Sequence, residues 1–219
     1  MPTATSCTII ACLAACAALL FCEYRGWKAG KALLKVAAST AFLALALQLG
    51  ATASSYGQWI LLGLALSWVG DVFLLSQKSR IFLFGLASFL LAHVAYAIAF
   101  ASRPIAATAL LAGFAAMGCV GVAVMAWLWN YLKAFYRGAV GAYVTAIVAM
   151  CALAIAASGA SGMWLPALGA VMFAISDVAV ARNRFVAPGA INRLWGLPLY
   201  YMAQIIFALS VAAGHAGAG

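Results

Sequence analysis

Three carboxylates are all the acid this 219-residue chain possesses: Glu23, Asp71 and Asp177. Asp71 and Asp177 each interrupt apolar sequence, in Gly70-Asp71-Val72 and Ser176-Asp177-Val178. A carboxylate in hydrocarbon costs roughly 2.5–3.5 kcal/mol even on insertion scales, so such a group turns toward protein or water. Pairing each with a Lys or Arg to fix helix packing is the plainer reading. Two at matched depth, as the only acids in apolar sequence, favour chemistry instead. Two carboxyl groups close together in low-dielectric surroundings split their protonation, one serving as acid and the other as base. That suits hydration or hydrolysis through an oxocarbenium-like transition state. Glu23 stands among basic residues and reads as a solvated loop charge.

Other polar residues fall within apolar stretches. His93 and Tyr96 are three apart and share a helix face. Gln204 follows Tyr200 and Tyr201 at a comparable depth. Lys35 lies about one turn inside its span, where snorkelling to the interface competes with lipid phosphate or an Asp as its partner. Counting ~1.5 Å per residue, both aspartates sit about 7 Å inside the bundle and His93 about 18 Å, roughly 11 Å deeper. On that arithmetic no metal is expected, and no dinucleotide, Walker or nucleophile-elbow pattern is present. The six cysteines lack metal-ligand spacing and read as small hydrophobes.

The elements that must position these groups are membrane helices. Hydrophobic residues make up 68% of the chain and charged ones 7%, against roughly 25% charged in soluble domains. Apolar stretches near the ~20 residues needed to cross a bilayer recur at 6–21, 32–49, 59–76, 81–100, 106–127, 139–158, 165–181 and 194–213. No period-two alternation supports a barrel. The fold class is therefore an all-α polytopic bundle of about eight transmembrane helices, forming one domain over residues 1–219. The clearest connections are 50–58, 77–80, 101–105, 159–164 and 182–193. Eleven of the twelve Lys and Arg fall in, or within about a turn of, the loops after the first, third, fifth and seventh spans, and only Arg103 lies opposite. This split places the basic loops in the cytoplasm and both termini outside, as in a bacterial inner membrane. The net charge of +9 is dispersed over short loops without interleaved aromatics, so the expected partners are anionic lipids and not nucleic acid.

Several segments in order resemble the YhhN-like lysoplasmalogenase family. They are Gly70-Asp71-Val72-Phe73-Leu74-Leu75, Phe84-Gly85-Leu86-Ala87-Ser88-Phe89 leading to Ala92-His93-Val94-Ala95-Tyr96, Phe173-Ala174-Ile175-Ser176-Asp177 with Asn183-Arg184-Phe185, and Leu199-Tyr200-Tyr201-Met202-Ala203-Gln204. Tyr143 and Met150, and Lys35, also fit, although the family's lysine-proline pair is Lys35-Val36 here. The resemblance implies a membrane hydrolase that cleaves the vinyl ether of lysoplasmalogens to a fatty aldehyde and a glycerophospho-alcohol, without metal or organic cofactor. It implies catalytic Asp71 and Asp177, supported by Lys35, His93, Tyr96, Tyr143, Asn183, Tyr201 and Gln204, and a lysophospholipid as partner. The competing reading is a proton-coupled transporter or lipid-binding protein with Asp71 and Asp177 as relay sites.

Overall fold

The computed structural model describes residues 3–76 and 78–215, apart from the side chains of 213–215. Gln77, expected in the loop before the fourth span, and the outermost residues of the 1–219 range lie outside it. Regular structure among the described residues is entirely helical: α1 (Thr3–Arg25), α2 (Lys28–Gln48), α3 (Ser55–Phe73), α4 (Ser79–Ala101), α5 (Ala107–Leu128), α6 (Ala134–Ser161), α7 (Leu165–Ala181) and α8 (Ala190–His215). Seven of these are long and apolar enough to cross a membrane. The exception is α3, whose polar start at Ser55-Tyr56-Gly57-Gln58 and terminal Asp71 dilute its apolar stretch. It still runs the depth of the bundle. Tyr56 near its start bonds Ser210 late in α8 at 2.8 Å, while Asp71 near its end meets Lys35 early in α2.

The expected connection 182–193 is mostly helical. The chain leaves α7 through a π-helical turn, Arg182–Val186, and α8 begins already at Ala190. Polar side chains make this compact reversal: Asn183 Oδ1 accepts from Gly189 N at 3.0 Å and Asn192 Nδ2 at 3.3 Å. Asn192 also donates to Ala187 O at 2.7 Å and accepts from Arg182.

All four basic turns gather at one end of the bundle. Glu23 at the end of α1 bonds Lys31 of α2 and Arg193 of α8. Arg184 reaches Ser79 at the start of α4, and Phe185 contacts Phe82 and Tyr136. The starts of α1 and α3 lie at the other end, where Thr8 meets Gln48 and Arg103 stacks on Tyr56. Small residues let the helices approach closely, as expected where lipid supplies no hydrophobic drive between them. A Cβ on Gly63 would fall 2.3 Å from the Tyr96 ring, and one on Gly70 2.6 Å from Phe89. Close contact at Gly70 is what sets Asp71 beside the aromatic core. By contrast α5 packs mainly on α6 and presents much of its surface outward.

Candidate functional site

Helix geometry first decides which acids can meet which partners. In a helix each Cα–Cβ bond tilts toward the N-terminus. α3 and α7 start at the far end of the bundle, so Asp71 and Asp177 point inward from near the basic end. α2, α4 and α6 start at the basic end, so Lys35, His93 and Tyr143 point back toward it. Opposed directions close the gaps that counting residues leaves.

Asp71 is buried, its side chain 3% exposed. Oδ2 accepts from Ser39 Oγ at 2.5 Å and Tyr200 OH at 2.7 Å, and Oδ1 lies 3.2 Å from Lys35 Nζ. Every partner is a donor, the environment of an ionised carboxylate. Tyr201 does not touch the acid. Its hydroxyl donates to Lys35 O at 3.3 Å and lies 3.4 Å from Ser39 Oγ, supporting the segment that carries both.

Asp177 is built differently. Tyr143 OH donates to Oδ1 at 3.1 Å, and His93 Nε2 stands 3.1 Å from Oδ2. This corrects the depth expectation: His93 does not lie some 11 Å below the acids but touches one. The imidazole is fully buried, and Nδ1 lies 2.6 Å from the carbonyl oxygen of Phe89. A carbonyl only accepts, so Nδ1 must carry a hydrogen. Nε2 is left facing Asp177 Oδ2, a close contact between two buried polar atoms that have no other hydrogen-bond partner among the described residues. The depth ground for excluding a metal falls with this contact, yet no group of three His, Cys, Asp or Glu side chains gathers among the described residues.

The two acids do not bond each other. They are linked through an aromatic core in which Tyr200 packs on Phe173 at 5.5 Å and Phe173 on His93 at 4.4 Å. Both face one cavity of about 470 Å³ that also exposes Tyr143, Tyr200 and Lys35. His93 is not part of its wall. Tyr96 and Gln204 lie apart from the acids as a pair of their own, Tyr96 OH donating to Gln204 Oε1 at 2.7 Å. Asn183 lines the mouth and shapes the π-helical turn.

At the basic end Glu23, Lys31, Arg184 and Arg193 ring the cavity. Glu23 is not a solvated loop charge. Its side chain is 8% exposed and clamps Lys31 at 2.7 Å and Arg193 at 2.6 Å. That leaves a rim of fixed cations with one anion among them, above a mostly apolar chamber. Such a site fits an amphiphile with a phosphate head.

A model of the YhhN family matches residues 30–211, a range that holds both acid clusters. The chain belongs to the YhhN family. Human lysoplasmalogenase TMEM86A (Homo sapiens) is 36% identical over 157 residues, covering 69% of this chain and 64% of that protein. Lysoplasmalogenase TMEM86B of Sus scrofa is 35% identical over 147 residues, covering 67% and 60%. The match thus spans less than two thirds of these curated relatives. No solved structure matches.

Within this YhhN protein, Ser39, Tyr200, Glu23 and Arg193 join the candidate site through their contacts and do not stand out in the sequence. Ser39 has a signal, being four residues after Lys35 and so on the same helix face. Tyr200 has one too, lying four residues before Gln204 and so on the same helix face.

Proposed function

We propose that this YhhN protein is a lysoplasmalogenase, a cofactor-free hydrolase of the vinyl ether in single-chain plasmalogens. What supports this reading is one cavity lined by two aspartates in unlike settings, Asp71 among three donors and Asp177 backed by the buried His93 imidazole, beneath a cationic rim. The names of the human and porcine relatives point to the same activity.

The two aspartates then take unequal parts. Asp177 delivers the proton it shares with His93 to the β-carbon of the vinyl ether. The double-bond electrons form the new C–H bond, and oxygen donates a lone pair to give an oxocarbenium. Asp71, held ionised by Lys35, Ser39 and Tyr200, stabilises that positive charge and orients a water molecule. Water adds to the oxocarbenium carbon and loses a proton, giving a hemiacetal. Breaking its C–O bond to glycerol, with a proton returning to the leaving oxygen, yields aldehyde and alcohol. One water is consumed and no redox partner is needed. His93 and Tyr143 are positioning residues, while Arg193, Lys31 and Arg184 receive the phosphate. Tyr96, Gln204, Tyr201 and Asn183 support the framework. The basic end faces the cytoplasm of a bacterial inner membrane, with both helical termini outside, on the strength of the charge split.

Asp71→Asn and Asp177→Asn should each lower aldehyde release from a lysoplasmalogen by at least ~10²-fold. Both should still extract as folded protein, since Asn is isosteric with Asp and places no new charge in the membrane. Folded variants that retain near-full release would refute the mechanism.

A further inference from the structure

The cavity has a second limb that the acid chemistry does not use. It lies between α5 and α7 with α6 as its floor, and is lined by Val120, Ile147, Val148, Val171, Ala174 and Ile175. Asp177 is the sole charged side chain that these three helices bring to the cavity. From the level of Asp177 the lining continues six residues back along α7 to Val171, and from Tyr143 five residues on along α6 to Val148. Both steps lead about 7–9 Å toward the middle of the bundle. The limb is also open at its side. Val120 is 51% exposed and Ile175 44% exposed, so cavity wall and lipid-facing surface are there the same residues.

We propose that this groove binds the hydrocarbon chain of the substrate and serves as a lateral portal to the bilayer. The inference rests on the vinyl-ether reading of the acid site, which it extends to chain recognition. The geometry fits the chemistry of a single-chain amphiphile. A phosphate held at the cationic rim puts the glycerol ether near the acids, and the chain then continues down an apolar limb. One limb accommodates one chain, so a two-chain phospholipid would leave its second chain without a place. The product is an apolar aldehyde formed at the top of the groove. It leaves sideways into lipid while the polar alcohol leaves past the basic rim.

The first test does not depend on turnover. Wild-type protein in phosphatidylcholine vesicles is irradiated with a saturated-ether lysophospholipid carrying a diazirine on its chain, with and without excess unlabelled ether lipid. Adducts should concentrate on the α5, α6 and α7 segments around Val120, Ile147 and Ala174, and should fall at least ~10-fold on competition. Adducts spread evenly over the lipid-facing helices, or insensitive to competitor, overturn the proposal. This result stands whether or not aldehyde is released, so it separates failure of the groove from failure of the vinyl-ether reading. The second test uses Ala174→Phe, which fills the limb. The ratio of kcat/KM for a hexadecenyl substrate to that for a butenyl substrate should fall at least ~10-fold, the value of about two buried methylenes. Leu62→Phe, on the lipid-facing side of α3, should leave that ratio unchanged. A folded Ala174→Phe protein with the wild-type ratio rules the groove out.

Discussion

The buried Lys35–Asp71 ion pair ties the stability of the fold to the acid site. At 3.2 Å, two unit charges attract by about 5 kcal/mol at an effective dielectric constant of 20. Desolvation offsets much of this when the pair is compared with an apolar replacement, but not when one partner alone is removed. Lys35→Met would leave Asp71, 3% exposed, with only the Ser39 and Tyr200 hydroxyls. The expected loss is about 3–5 kcal/mol, the usual cost of stranding a buried charge. For a chain of this size that is roughly 6–20 °C in Tm. Asp71→Asn should cost less, because the Lys35 ammonium can swing toward the basic interface on its flexible stem. The double variant should return to within about 1 kcal/mol of Asp71→Asn alone, since no carboxylate is then stranded. Thermal unfolding of the four proteins in one detergent closes this double-mutant cycle, with an expected coupling of about 2 kcal/mol or more. A double variant no more stable than Lys35→Met would show that Lys35 does not hold Asp71 ionised, and the assigned roles would lose their basis.

Replacing His93 by Gln, which can still donate to Phe89 O but cannot share an imidazole proton, should lower kcat by ~10-fold or more with little change in KM. The pH–rate profile should change shape, whereas Tyr143→Phe should lower the rate without doing so; identical profiles for wild type and His93→Gln contradict the shared proton. Lysophospholipids with an ester or a saturated ether at the same position should compete for the site without reacting, because neither has the electron-rich double bond. Fatty-acid release from the ester at a comparable rate would identify an ordinary lysophospholipase.

The eight helices were legible because hydropathy and loop charge are local signals that each segment carries by itself. Their ends were less so: α1 runs on to Arg25, and the 182–193 connection is largely helix, because Asn183 and Asn192 close it with side-chain bonds rather than open loop. The two aspartates were also legible, since a charge in apolar sequence demands an explanation wherever it lies. What residue counting lost was direction. A depth measured along the axis ignores the tilt of side chains toward the N-terminus, which brings His93 and Asp177 together from antiparallel helices. Glu23 was misread for another reason. Lys31 is near it in sequence, but Arg193 lies 170 residues away, and only the packing of α1 on α8 reveals that partner.

Isotope placement in the products reports where the proton enters and which carbon–oxygen bond breaks. Purified protein in detergent would be given a lysoplasmalogen in D2O, with the aldehyde trapped by reduction as it forms, and in a parallel reaction in ¹⁸O-labelled water. Protonation at the β-carbon followed by capture of water predicts one deuterium on the carbon next to the former carbonyl. It also predicts that the glycerophospho-alcohol keeps its original, unlabelled oxygen. Aldehyde without that deuterium, or ¹⁸O in the glycerophospho-alcohol, would mean that cleavage does not begin with proton transfer to the vinyl ether.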